Sequence, residues 1–183
     1  MIKKTISALL LTGIVAASTI PARAQVVASS MPYVKENMPI KEMVMEPTKS
    51  ITVNVVVNEH LNYFREALMI TDLGKTLNNQ DGPFTVFAPI DEAFDMIPER
   101  YLNVMMEDRN EILTDLLRYH IVPGQIDVAQ LKDGQHLKTL QGKKLRVSRK
   151  GDQVYINGAP ILTSNIASRN GVIHTIGNIA MIP

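Results

Sequence analysis

The chain has 183 residues, with 19 Lys or Arg against 18 Asp or Glu and a formal charge of +1. So even a balance lacks the excess of cations that phosphate binding needs, and nucleic acid is not an expected partner. The lack of cysteine excludes disulfides, thiolate catalysis, Fe–S clusters and Cys-based zinc sites.

Lys3 and Lys4 precede an apolar run from Ile6 to about Ala17, and Pro21-Ala22-Arg23-Ala24-Gln25 follows. A basic start, a short apolar core and an Ala-x-Ala site predict a secretory signal peptide over 1–24, cut between Ala24 and Gln25. Ser18, Thr19 and Pro21 break the apolar run, which is short for a membrane span. No later stretch is apolar enough to span a bilayer, so the expected location is the periplasm, the cell surface or the medium. Removal of the segment takes Lys3, Lys4 and Arg23 with it and leaves 16 basic against 18 acidic residues, a charge of −2.

Residues 25–49 hold four methionines (Met31, Met38, Met43, Met45) and three prolines (Pro32, Pro39, Pro47) without a sustained apolar period. They are expected to form a flexible arm. Clustered thioethers can hold copper, but no histidine or cysteine joins this cluster.

The domain is expected to occupy 50–183. Ile51 to Val57 is rich in β-branched residues, a strand-like composition. Leu61, Phe64 and Leu68 then fit a helical stripe, with Asn58 as its cap. Thr71 or Asp72 is expected to cap a shorter helix through Leu73 and Leu77. In Phe84-Thr85-Val86-Phe87-Ala88-Pro89 the apolar, β-branched run predicts a buried strand, which Pro89 ends. Asp91-Glu92-Ala93-Phe94 opens a short helix, its carboxylates at the positive end of the dipole.

Beyond Pro98 a helical segment carries Tyr101, Leu102, Met105 and Met106. Asp108 to Glu111 reads as a capping box, and Ile112, Leu113, Leu116 and Leu117 form the apolar stripe of the next helix. Tyr119 and His120 pass the chain into a strand, and Pro123-Gly124 turns it. The last third shows period two. Leu145 and Val147 alternate with Lys144, Arg146 and Ser148, Asn157-Gly158 is a hairpin signal, and Asn170-Gly171 precedes Val172 to Ile176. Helices first and an antiparallel sheet last predict an α+β domain.

Phe84 to Phe94, Tyr119-His120 with Leu116, Leu117, Ile121 and Val122, and Asn170 to Ile176 with Pro183, stand in the order of three motifs. With Asn157-Gly158-Ala159 and Asn165-Ile166 between them, the chain resembles the fasciclin (FAS1) domain family. The resemblance implies a wedge of two β-sheets with helices packed at one side. It implies structural roles for Phe84, Val86, Phe87, Pro89, Phe94, Pro123, Gly124, Asn170, Gly171, Ile173 and His174. By analogy with integrin-binding animal members, it implies a partner contact through Leu117, Tyr119, His120 and Ile121. Carotenoid-binding algal members suggest an alternative, an apolar ligand held near Met96, Met105, Met106 and Leu117. Two positions depart from the family pattern. Ile90 stands where a capping threonine is common, so Asp91 is expected to cap its own helix, and Gly177 stands where an acid is common.

The residues assign no catalytic group, metal or cofactor. His60, His120, His136 and His174 lie on different elements without zinc-ligand spacing. Asp91 and Asp95 share a helix face, which suits a helix start better than a calcium site. No Gly-x-Ser-x-Gly elbow marks a nucleophile. The expected function is a secreted, non-catalytic binding module for adhesion, its partner a protein or glycan of the cell envelope or extracellular matrix. Tyr119 and His120 also admit a purely structural role, as hydrogen-bonded residues inside the fold.

Overall fold

A computed structural model describes residues 46–79, 82–105 and 111–182. The expected signal peptide, most of the arm with its methionine cluster, the capping box at Asp108, Met106 and Pro183 lie outside the described residues.

Among the described residues six α-helices and seven strands follow one another: α1 (Ile51–Val56), α2 (Asn62–Ile70), α3 (Leu73–Asn79), β1 (Phe84–Pro89), α4 (Asp91–Phe94), α5 (Glu99–Met105), α6 (Glu111–Tyr119), β2 (Ile121–Pro123), β3 (His136–Lys138), β4 (Lys144–Lys150), β5 (Gln153–Ile156), β6 (Ala159–Ser168) and β7 (Gly171–Ile176). The fold class is α+β, as expected. The strands run in the order β2-β1-β7-β6-β5-β4-β3. The ten-residue strand β6 joins two halves. Its first residues pair with β5, and the rest, from Ile161 on, pairs with β7 across two register shifts.

One pairing departs from the expected antiparallel sheet. β1 lies parallel to β7, from Phe84 opposite Gly171 to Pro89 opposite Ile176. The intervening chain carries three helices and five strands, so nothing local to either strand announces the pairing. With β2 on its other edge, β1 is buried along its whole length.

That burial divides two cores. Phe84, Val86, Ala88 and Ile173 face Ile51, Phe64, Leu68, Leu77, Leu113 and Leu117 from the helices. Phe87 and Ile176 face the other way, toward Leu137, Leu145, Val147, Val154, Ile156 and Ile161 across the fold. Each of the larger side chains contributes about 1.5–3 kcal/mol on burial, so the central strands are fixed from both sides.

Residues 51–56 are helical despite their β-branched composition. Ser50 caps the helix, accepting from Val53 N, and Ile51 and Val55 are buried against the neighbouring helices. Tertiary burial here outweighs a weak local preference. Asn58 does not cap α2; its side chain accepts from His60 N at 2.9 Å instead. Nor does Asp91 cap its own helix. Its carboxylate accepts from Tyr63 N at 3.0 Å and Asn62 Nδ2 at 2.7 Å, so it caps α2 from 28 residues away. Ile112 is 69% exposed, because it lies roughly a quarter-turn off the stripe of Leu113, Leu116 and Leu117. In β4, Leu145 and Val147 point inward while Lys144 and Arg146 stay exposed, as the alternation predicts.

Candidate functional site

The three sequence motifs, far apart in the chain, become neighbouring strands: Tyr119-His120 leads into β2, Phe84–Pro89 is β1, and Gly171–Ile176 is β7. Asn170 bolts this block to the helices. Its Oδ1 accepts from Ile51 N at 2.9 Å, its Nδ2 donates to Leu77 O, and its carbonyl accepts from Phe84 N at 3.0 Å. Ile51 N is an orphan donor at a helix start and Leu77 O lies near a helix end, so one amide serves two helix termini. Gly171 follows with φ of +148°, and a Cβ there would stand 1.9 Å from Phe84 O. Only glycine fits.

Tyr119 is fully buried at the end of α6. Its hydroxyl donates to Lys144 O at 3.0 Å and accepts from Asn157 Nδ2 at 2.6 Å. A buried phenol needs such partners, and these come from the β4–β5 half of the sheet. His120 is 1% exposed, its ring 6.4 Å from that of Tyr119. Its Nδ1 lies 2.7 Å from Leu116 O and its Nε2 accepts from Ala180 N at 3.1 Å. A carbonyl can only accept and an amide N–H can only donate, so the ring is neutral with its proton on Nδ1. Burial holds its pKa down at about 4, against the weaker upward pull of the Leu116 bond.

His174 carries the opposite tautomer. Its Nε2 lies 2.9 Å from Ile126 O and its Nδ1 accepts from Asn165 N at 3.2 Å. The ring stacks on Phe87, centroids 5.5 Å apart. Burial lowers its pKa too, opposed by the Ile126 bond and the charge of Asp127. Beside it the buried Thr85 hydroxyl donates to Gly124 O and accepts from Ile126 N, which holds the turn after β2.

Leu117, Tyr119, His120 and Ile121 are all buried. None presents its side chain at the surface, and the polar atoms of Tyr119 and His120 are engaged within the fold. His60 is half-buried and His136 exposed, each well apart in the chain from the two buried rings. Among the described residues no group of three or more His, Cys, Asp or Glu stands close enough to share a metal ion. Asp91, considered for calcium, is occupied with the start of α2. Met96 is 72% exposed whereas Leu117 belongs to the helical core, so these two residues do not face a common groove.

What lies at the surface is a shallow cleft of about 440 Å³ between the free edges of β2 and β3, lined by Val122, Pro123, Ile126, His136 and Leu137 among others. Leu140 N donates to Ile121 O at 2.8 Å and closes one end of this seam. The sequence reading missed the cleft, since it arises only when the two ends of the strand order approach each other.

The fasciclin domain profile matches residues 59–182. The Synechocystis protein sll1483 is 33% identical over 127 residues, 69% of either chain. The cell surface glycolipoprotein MPB83 of Mycobacterium bovis is 33% identical over 112 residues, 61% of this chain and 49% of its own. Matches to longer animal proteins cover only 15–17% of those proteins. A solved FAS1 domain pair from the insect cell adhesion molecule Fasciclin I superposes with a TM-score of 0.60 at 15% identity, covering 73% of this chain and 51% of that one. Among the described residues no helix is long and apolar enough to cross a membrane.

Proposed function

The chain belongs to the fasciclin domain family, and on that premise we propose that it is an exported, non-catalytic binding module. Its task is adhesion, or attachment to the cell envelope or matrix, through exposed side chains. The observation that carries this reading is the internal use of the chemically capable groups. Tyr119, His120 and His174, the phenol and imidazoles of the motifs, each have their polar atoms bonded inside the fold. A cell surface glycolipoprotein among the relatives supports the location. The contact assigned to Leu117, Tyr119, His120 and Ile121 then acts indirectly. These residues hold β2 and its neighbours in place, and the partner meets the surface they support.

Envelope preparations of the producing cells, titrated against immobilised protein, test the proposal. Saturable binding that survives the conservative replacements Tyr119→Phe and His120→Gln, compared per folded molecule, supports it. Turnover of an envelope component, or no saturable binding, overturns it.

A further inference from the structure

Charge is strongly segregated along this chain. Residues 59–115 hold 12 acidic residues against four basic ones, whereas residues 132–150 hold seven basic residues against Asp133 alone. The basic segment is the β3–β4 ribbon. Its register places Lys138 opposite Lys144 and His136 opposite Arg146. All four side chains are exposed, on the face turned away from Leu137 and Leu145. Like charges directly across an antiparallel pair destabilise it, so folding does not account for this arrangement. The ion pairs Lys49–Glu46, Lys75–Asp72 and Arg118–Asp115 lie off the ribbon. Asp133 is turned to Arg149 N.

The cations form a track. Along β4, Lys144, Arg146 and Lys150 share a face at even residue spacing, so the row extends roughly 20 Å at about 3.4 Å per residue. His136 and Lys138 form a parallel row on β3. At the far end Lys150 lies 5.5 Å over the ring of Tyr155, a half-buried aromatic on β5.

We infer that this outer face of the β3–β4 ribbon binds an acidic polysaccharide, a linear glycan with carboxylate or sulfate groups at regular intervals. The inference rests on the surface-binding proposal and names its ligand class. Charge complementarity requires a polyanion, and the row of exposed cations matches an extended one. The tyrosine at the end of the row, with Lys150 over its ring, adds an aromatic group beside the cations. A peptide strand added to the sheet is the poorer fit, because the bordering edge strands are three residues long and carry Lys138 and Pro123, which blunt an edge against pairing.

The test uses the full chain and polygalacturonate as the probe, with neutral dextran, poly-glutamate, single-stranded DNA and producing-cell envelopes in parallel. Binding is measured calorimetrically at low and at physiological salt. Wild type is expected to bind polygalacturonate but not dextran, more weakly as salt screens the contacts. The K138Q/K144Q/R146Q triple variant, changed only at exposed positions, is expected to lose about tenfold in affinity, the scale of three exposed charge contacts. K75Q, an exposed cation on α3, is the control and should bind as wild type. Equal binding by the triple variant, or equal binding of dextran, overturns the inference. Tighter binding of poly-glutamate or DNA overturns the ligand class, as does salt-reversible self-association without polymer binding. If envelopes bind but polygalacturonate does not, only this inference falls and the surface-binding proposal stands.

Discussion

Acid should unfold this protein before its carboxylates alone would require it, and His120 is the reason. In the folded chain its Nε2 accepts from Ala180 N and its Nδ1–H is given to Leu116 O, so a second proton has no place without breaking the Ala180 bond. Burial holds the folded pKa at about 4, against 6.5 for an ordinary histidine. Below pH 6.5 the unfolded chain therefore binds a proton that the native state refuses. Stability is complete above that pH and falls as pH drops toward 4, by about 1.4 kcal/mol per pH unit once the unfolded ring is charged. The loss from this one group reaches about 3 kcal/mol near pH 4, a large share of the 5–15 kcal/mol typical of a domain. His174 is shifted in the same direction and adds to it. Urea denaturation of wild type and His120→Gln at several values between pH 7.5 and 4.5 isolates the effect. Gln cannot titrate, so its stability should start lower but decline less steeply, by nearly one proton's worth of slope. Parallel slopes for the two proteins would refute the reasoning.

Four further substitutions probe the fold. Tyr119→Phe removes the hydroxyl shared by Lys144 O and Asn157 Nδ2 and should cost about 1–3 kcal/mol in chemical denaturation. Gly171→Ala should prevent folding or cost several kcal/mol, since its Cβ would meet Phe84 O at 1.9 Å. Gly134→Ala, at φ of +74° with open space around it, should cost only about 1–2 kcal/mol; equal effects at the two glycines in thermal melts would contradict the packing argument. Asp91→Ala strips the carboxylate from the first turn of α2 and should lower stability by about 1 kcal/mol, with faster amide exchange at Tyr63.

Much of this architecture can be read locally. The run Phe84–Pro89 announces a buried strand, Lys144–Ser148 announces one wet face, and Asn157-Gly158 supplies the positive φ values of the β5–β6 hairpin, +49° and +86°. The features that escaped are those in which distant residues decide. The β-branched stretch at Ile51 becomes a helix because Ile51 and Val55 are buried against distant elements, and Asn170, 119 residues on, accepts its first N–H. Asp91 serves a helix other than its own for the same kind of reason. The Tyr119-His120 motif marks an important place, but composition alone does not say whether its side chains face a partner or a core. The answer required Lys144, Asn157 and Ala180, contributed by later parts of the chain. The basic ribbon was visible as residues, yet total charge concealed it, and only the β3–β4 register aligns the like charges.

The central claim is that the motif block shapes the molecule while exposed side chains do the binding. The most direct measurement is envelope affinity per folded molecule for Tyr119→Phe and His120→Gln, taken with their unfolding free energies at the same pH and temperature. The account predicts affinities within about twofold of wild type alongside losses of stability on the order of 1–3 kcal/mol. Wild-type stability with binding abolished would contradict it and make the Tyr119-His120 segment the contact itself.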